Sequence, residues 1–68
     1  MDIDYHFLSD GSVVITNVGK KNIEGLSFAV MAKKVFVNGS EPTQKLVGQD
    51  IIFWFDLKSG ESKTISFN

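Results

Sequence analysis

The chain contains no cysteine and no arginine, one histidine and one proline. Without cysteine there is no disulfide to brace the fold and no thiolate zinc site, so stability has to come from apolar packing. All seven basic residues are lysine, set against eight acidic ones, for a formal net charge of -1. Arginine is the side chain that forks onto phosphates and guanine edges, so its lack at near-neutral charge argues against a nucleic-acid partner. There is no basic block suited to an anionic membrane surface. No apolar run approaches the roughly 20 residues that cross a bilayer, so no direct membrane insertion is expected of this segment. The start, Met1-Asp2-Ile3-Asp4, is acidic where a signal peptide begins with positive charge. Two readings of location remain: a cytoplasmic protein, or the soluble portion of something longer.

The inventory for chemistry is equally short. His6 is the single histidine, and a triad needs a nucleophile, a base and an orienting group gathered in space. No nucleophile elbow accompanies the serines, and the six glycines stand singly, with neither a phosphate loop nor a dinucleotide fingerprint. A solvent-facing strand histidine is the plainer reading of His6. Asp2, Asp4 and Asp10 could offer oxygen ligands to a hard cation, but the glycine and twelfth-position glutamate of a calcium loop are missing. No catalytic, cofactor-binding or metal residue is assigned, and a non-enzymatic protein without cofactor is expected.

What the sequence does have is a strand-like rhythm. Its 68 residues suffice for a single domain, 1-68, burying roughly 60% of the surface of the unfolded chain. With 43% hydrophobic residues, one tryptophan and six phenylalanines, it is not a disordered chain. Ile51-Ile52-Phe53-Trp54-Phe55-Asp56-Leu57 is β-branched and aromatic, free of glycine and proline, and of strand length, which predicts the central strand. Side chains alternate along a strand, so Ile51, Phe53, Phe55 and Leu57 share one face and Ile52, Trp54 and Asp56 the other.

Taken in order, Ile3, Tyr5 and Phe7 alternate with Asp4, His6 and Leu8, predicting a first strand with Ile3, Tyr5 and Phe7 on its buried face. Asp10-Gly11 predicts a type I′ hairpin into Val13 to Thr16. Asn17 to Asn22 breaks the pattern, and Ile23 to Ala32 resumes it. Ala29 to Lys34 has helix propensity, outweighed by the period of two around it. Lys33-Lys34 reads as an edge or bend before Val35-Phe36-Val37, and Glu41 to Lys45, around Pro42, as the longest loop. Leu46-Val47 is a short strand or a cap on the core, and Ser62 to Phe67 closes the chain as a strand. Such spacing predicts an all-β antiparallel sandwich or small barrel.

Two features invite a functional reading. Ile52, Trp54 and Asp56 form a possible contact patch, since tryptophan is enriched at interface hot spots. The plainer account packs Trp54 for stability and pairs Asp56 with a lysine across strands. Asn38-Gly39-Ser40 satisfies the N-glycosylation pattern, and is equally an Asn-Gly turn that needs no sugar.

Two stretches also carry a family likeness. Val13-Val14-Ile15-Thr16-Asn17-Val18-Gly19, with Ile23 and Leu26-Ser27-Phe28, resembles the strand, Asn-x-Gly turn and strand of immunoglobulin-like modules in prokaryotic surface proteins. Leu57 to Phe67 is similar to their Leu-x-Pro-Gly-Glu-x-x-x-Val-x-Phe ending, with Ser59 where proline is common. The group includes cell-adhesion-related domains, the soluble domains of archaellum stator proteins and archaeal pilins. Val35 to Gly39 is similar to a hairpin of the archaellum proteins. The resemblance implies an immunoglobulin-like sandwich of about six or seven strands. It also implies a non-catalytic, extracytoplasmic structural module of a cell-surface or filament-associated assembly, with a protein partner or self-association. Members have more residues than this chain, which implies a strand missing or supplied by a neighbour. The alternative is a small cytoplasmic or viral β-barrel that binds a ligand in a mouth lined by Tyr5, Phe36 and Trp54.

Overall fold

The organising strand is Asp50–Leu57, and the computed structural model, which describes residues 1–68, builds six further strands around it. In chain order they are β1 Ile3–Phe7, β2 Val13–Asn17, β3 Ile23–Val30, β4 Val35–Val37, β5 Thr43–Val47, β6 Asp50–Leu57 and β7 Ser62–Phe67. The molecule is all-β, in two antiparallel sheets of order β1-β2-β7-β4 and β3-β6-β5. No helix forms over Ala29 to Lys34, and none in the molecule is long and apolar enough to cross a membrane.

The sheets face each other across a core whose composition follows from strand alternation. Ile51, Phe53, Phe55 and Leu57 of β6 all point inward and are buried, with Leu26 beside them on β3. Val13 and Ile15 of β2, Ile65 of β7 and Val35 of β4 meet them from the other sheet. Burying a side chain of this size contributes roughly 1.5–3 kcal/mol, so β6 alone supplies a large share of the driving force. Phe28 lies opposite Phe53 in register, and its ring stacks on Phe53 at 5.7 Å and on Phe55 at 5.9 Å.

Several local expectations are corrected. Asp10-Gly11 does not make a type I′ turn, because Gly11 has φ 88 whereas Asp10 stays on the negative side. Leu8 accepts from the Gly11 N–H at 3.1 Å and donates to Ser12 at 2.9 Å, so the loop has three residues with glycine in the left-handed position. The Asp10 carboxylate prefers this arrangement because it accepts both the Ser12 N–H, at 2.9 Å, and the Ser12 hydroxyl. The type I′ turn is at Asn38-Gly39, with φ 51 and 84 and the paired bonds between Val37 and Ser40.

Glu41 to Lys45 is not a loop throughout: Thr43, Gln44 and Lys45 begin β5, which pairs with β6 from Thr43↔Trp54 to Val47↔Asp50. An edge strand with a solvent face needs few apolar residues, which is why Thr-Gln-Lys reads as loop, and Pro42 stands just outside its ladder. Leu46-Val47 completes this strand.

Asn17 ends β2 instead of breaking it, and it is buried. Its amide nitrogen donates to Lys21 O at 2.7 Å and Leu57 O at 3.0 Å, and its Oδ1 accepts the Gly19 N–H at 3.0 Å. A buried amide is tolerated when its bonding capacity is used, and this one ties the β2–β3 loop to the end of β6. The same end is tied a second time, since Ser59 N donates to Asn22 Oδ1 at 2.9 Å and the Ser59 hydroxyl donates to Gly19 O.

Two outcomes follow from these bonds. Asn17→Ala leaves two carbonyls and an N–H without their partner and is expected to cost about 2–4 kcal/mol in urea unfolding; Asn17→Asp, which turns a carboxylate toward two carbonyls, is expected to cost no less. The Ser12 hydroxyl, then the Ser12 N–H, holds the Asp10 carboxyl below its ordinary pKa. A depressed folded-state pKa gives stability that is present above the ordinary carboxylate value and lost as pH falls through the folded one. Ser12→Ala should raise the Asp10 value toward the ordinary range in an NMR titration; an unchanged value refutes the assignment.

Candidate functional site

Ile52, Trp54 and Asp56 project from the outer face of β6, as strand alternation demands once their neighbours fill the core. Ile52 and Trp54 are half-buried and Asp56 is exposed. In register, Ile52 lies between Ala29 and Lys45, and Trp54 between Ser27 and Thr43. A tryptophan in the middle of a three-stranded sheet is therefore flanked only by small polar side chains.

Asp56 is fixed by backbone, not by a lysine. Its Oδ1 accepts the Gly25 N–H at 2.9 Å, where the β3–β6 register shifts between Ile23 and Leu26. Lys63 Nζ reaches the Asp56 main-chain carbonyl at 2.7 Å and lies 5.4 Å from the Phe55 ring centroid. The expected cross-strand pairing with a lysine is thus replaced: lysine bonds the carbonyl, and the carboxylate closes a β-bulge. Bulges leave an unpaired backbone donor, and a short acidic side chain one strand away satisfies it.

The chain adds residues to this patch that periodicity does not reveal. The β4–β5 connection lays Ser40, Glu41 and Pro42 alongside Trp54 and Asp56, forming an open cleft of about 520 Å³. Ile52 is outside it. The residue types at Glu41 and Pro42 marked only a loop; their placement depends on the pairing of β5 with β6.

A second opening is lined by apolar residues alone. Tyr5 and Phe7 of β1, Phe28 and Val30 of β3, and Phe53 and Phe67 from the strands behind them surround about 160 Å³ between the two sheets. β1 and β3 are the outer strands of their sheets on this side, so nothing covers the seam between them. Phe7 is 75% exposed, Tyr5 50% and Phe67 38%. Of the first strand's expected buried face, only Ile3 packs against the core; Tyr5 meets Phe28 edge-on at 6.5 Å, and Phe7 faces solvent. The sequence pattern is right about which side these residues share and wrong about its burial, because the opposite sheet stops at β3.

The remaining candidates do not assemble. Tyr5, Phe36 and Trp54 do not surround one mouth: Tyr5 lines the apolar seam, Trp54 the acidic cleft, and Phe36 neither. His6 is exposed on β1 opposite Val14. No group of three or more histidine, cysteine, aspartate or glutamate side chains comes together, so Asp2, Asp4 and Asp10 are not one site. The Lys20-Lys21 loop borders a further open cleft with Met1 and Asp2. Asn38 is exposed at its turn, its N–H and Oδ1 both bonded to Thr64, at 2.8 and 2.9 Å.

Comparison with protein-family models, curated proteins and solved structures gives no match to this chain.

The Asp56 assignment predicts an asymmetric mutational result. Asp56→Asn keeps an acceptor for the Gly25 N–H and is expected to change unfolding free energy little, whereas Asp56→Ala should cost about 1 kcal/mol and speed Gly25 amide exchange. Equal effects of the two changes would show that the charge, not the bond, matters.

Proposed function

We propose that this chain is a non-catalytic structural or protein-binding module of a cell-surface or filament-associated assembly, working outside the cytoplasm. The observation that carries the reading is the apolar seam between β1 and β3, where three aromatic side chains stand partly in water. Exposed contiguous apolar surface on a small domain is costly to keep unless something covers it, and protein contact is its usual use.

The residues behind the family likeness have structural work that fits such a module. Asn17 and Gly19 of the Asn-x-Gly stretch form the bonded knot at the end of β2. Glu61 closes the Lys58–Glu61 turn by accepting the Lys58 N–H at 2.8 Å. The division into four strands and three, with β3 beside β6, supports an immunoglobulin-like arrangement. The fifth and seventh strands exchange places relative to the constant-type order, in which the fifth strand lies between the second and fourth. Ile52, Trp54 and Asp56, with the Glu41-Pro42 loop, are the second contact surface of this reading. Asn38, with its side-chain nitrogen outside the Thr64 bonds, is the position for a glycan.

The test is a photo-crosslinkable phenylalanine analogue at position 7 in the source cell. Crosslinks to an envelope component, or to further copies in the envelope fraction, support the reading. Crosslinks confined to soluble cytoplasmic proteins, or none, reject it.

A further inference from the structure

Resting on that reading, we propose that the occupant of the apolar seam is a second copy of this chain, joined antiparallel along β3 about a twofold axis near Phe28. The two three-stranded sheets become one of six strands, and the two β1 edges, with Tyr5 and Phe7, meet beneath the junction.

The choice of edge follows from what each outer strand carries. β3 is eight residues long and, from Leu26 to Val30, has neither a charge nor a proline. Natural sheets guard their edges with lysine, proline, bulges or short strands. β5 carries Lys45 at its middle, β4 has three residues, and β1 alternates Asp4 and His6 on its outer face. In β3 the guards, Glu24 and the bulge at Gly25, lie at one end only. The Leu26–Val30 half is the unguarded edge of the molecule.

The choice of partner follows from symmetry and charge. A twofold contact sets each strand against itself, so on β5 it would bring Lys45 near its own copy, whereas on β3 centred at Phe28 it sets Ser27 opposite Ala29 of the partner subunit. No like charges oppose each other there, and a net charge of -1 per chain gives little long-range repulsion. The axis is normal to the sheet, so both inner faces lie on one side and the exposed rings of one copy meet those of the other. Aromatic side chains bury roughly 150–250 Å² each when fully covered. With Phe7 75%, Tyr5 50% and Phe67 38% exposed, the rings of both copies and a five-residue ladder together cover about 1,000 Å², the threshold at which a contact becomes a specific, weak interface. A concentration-dependent dimer is the expected strength.

The experiment is sedimentation velocity on the whole chain across a wide concentration range. The natural chain should pass from monomer to dimer. Ser27→Lys with Ala29→Lys, both exposed outer-face changes, should raise the dissociation constant about tenfold or more by setting lysine against lysine across the axis. Ser27→Glu with Ala29→Lys sets opposite charges across the axis and should dimerise at least as well as the natural chain. This reversal is specific to the register and distinguishes dissociation from unfolding. A natural chain that stays monomeric throughout overturns the proposal, as does a dimer indifferent to both pairs. If it is monomeric yet the position-7 crosslink captures a different envelope protein, the self-pairing fails while the module reading stands.

Discussion

The inward face of β6 is the constraint on which everything else rests. Four large apolar side chains on one strand have to be covered from above, and only a second sheet can do so. That requirement sets the two-layer form. It places β3 and β5 on either side of β6 and leaves Ile52, Trp54 and Asp56 no direction but outward. In a chain without disulfide bonds, little else could hold so few residues together.

Small size makes the covering incomplete. Seven strands divided four and three cannot close both flanks of a sandwich whose core is this aromatic. The side at β4 and β5 is guarded by a short strand, a lysine and the proline-bearing connection. The side at β1 and β3 is left open, and the molecule's exposed rings gather there. The same shortage of strands accounts for Asn17: a pole that cannot be sealed with apolar residues is fastened with a fully bonded amide instead.

Much of the fold was legible because alternation survives wherever one face is buried, as in β2, β6 and β7. Legibility failed where tertiary context replaced it. Thr43-Gln44-Lys45 has no apolar period because its ladder with β6 supplies what its side chains do not. Asp10-Gly11 and Asn38-Gly39 look equivalent as dipeptides, but the Asp10 carboxylate binds Ser12 and selects a different turn. Asn17 reads as a turn residue and is buried because Leu57, forty residues on, offers it a carbonyl. Of the contact patch, the face was readable from Ile52, Trp54 and Asp56, whereas the neighbouring Glu41 and Pro42 and the open seam depend on which strands lie at the sheet edges.

The position of β7 has a consequence for how the protein comes into being. The seventh strand is an interior strand of its sheet, hydrogen-bonded to β2 on one side and β4 on the other. Until Ser62–Phe67 leaves the ribosome, β2 and β4 have no common neighbour, and the lipophilic side of the early hairpin stays bare. Folding is therefore dominated by distant pairings and slow for so small a domain, and a chain cut before Ser62 lacks the strand that joins β2 to β4.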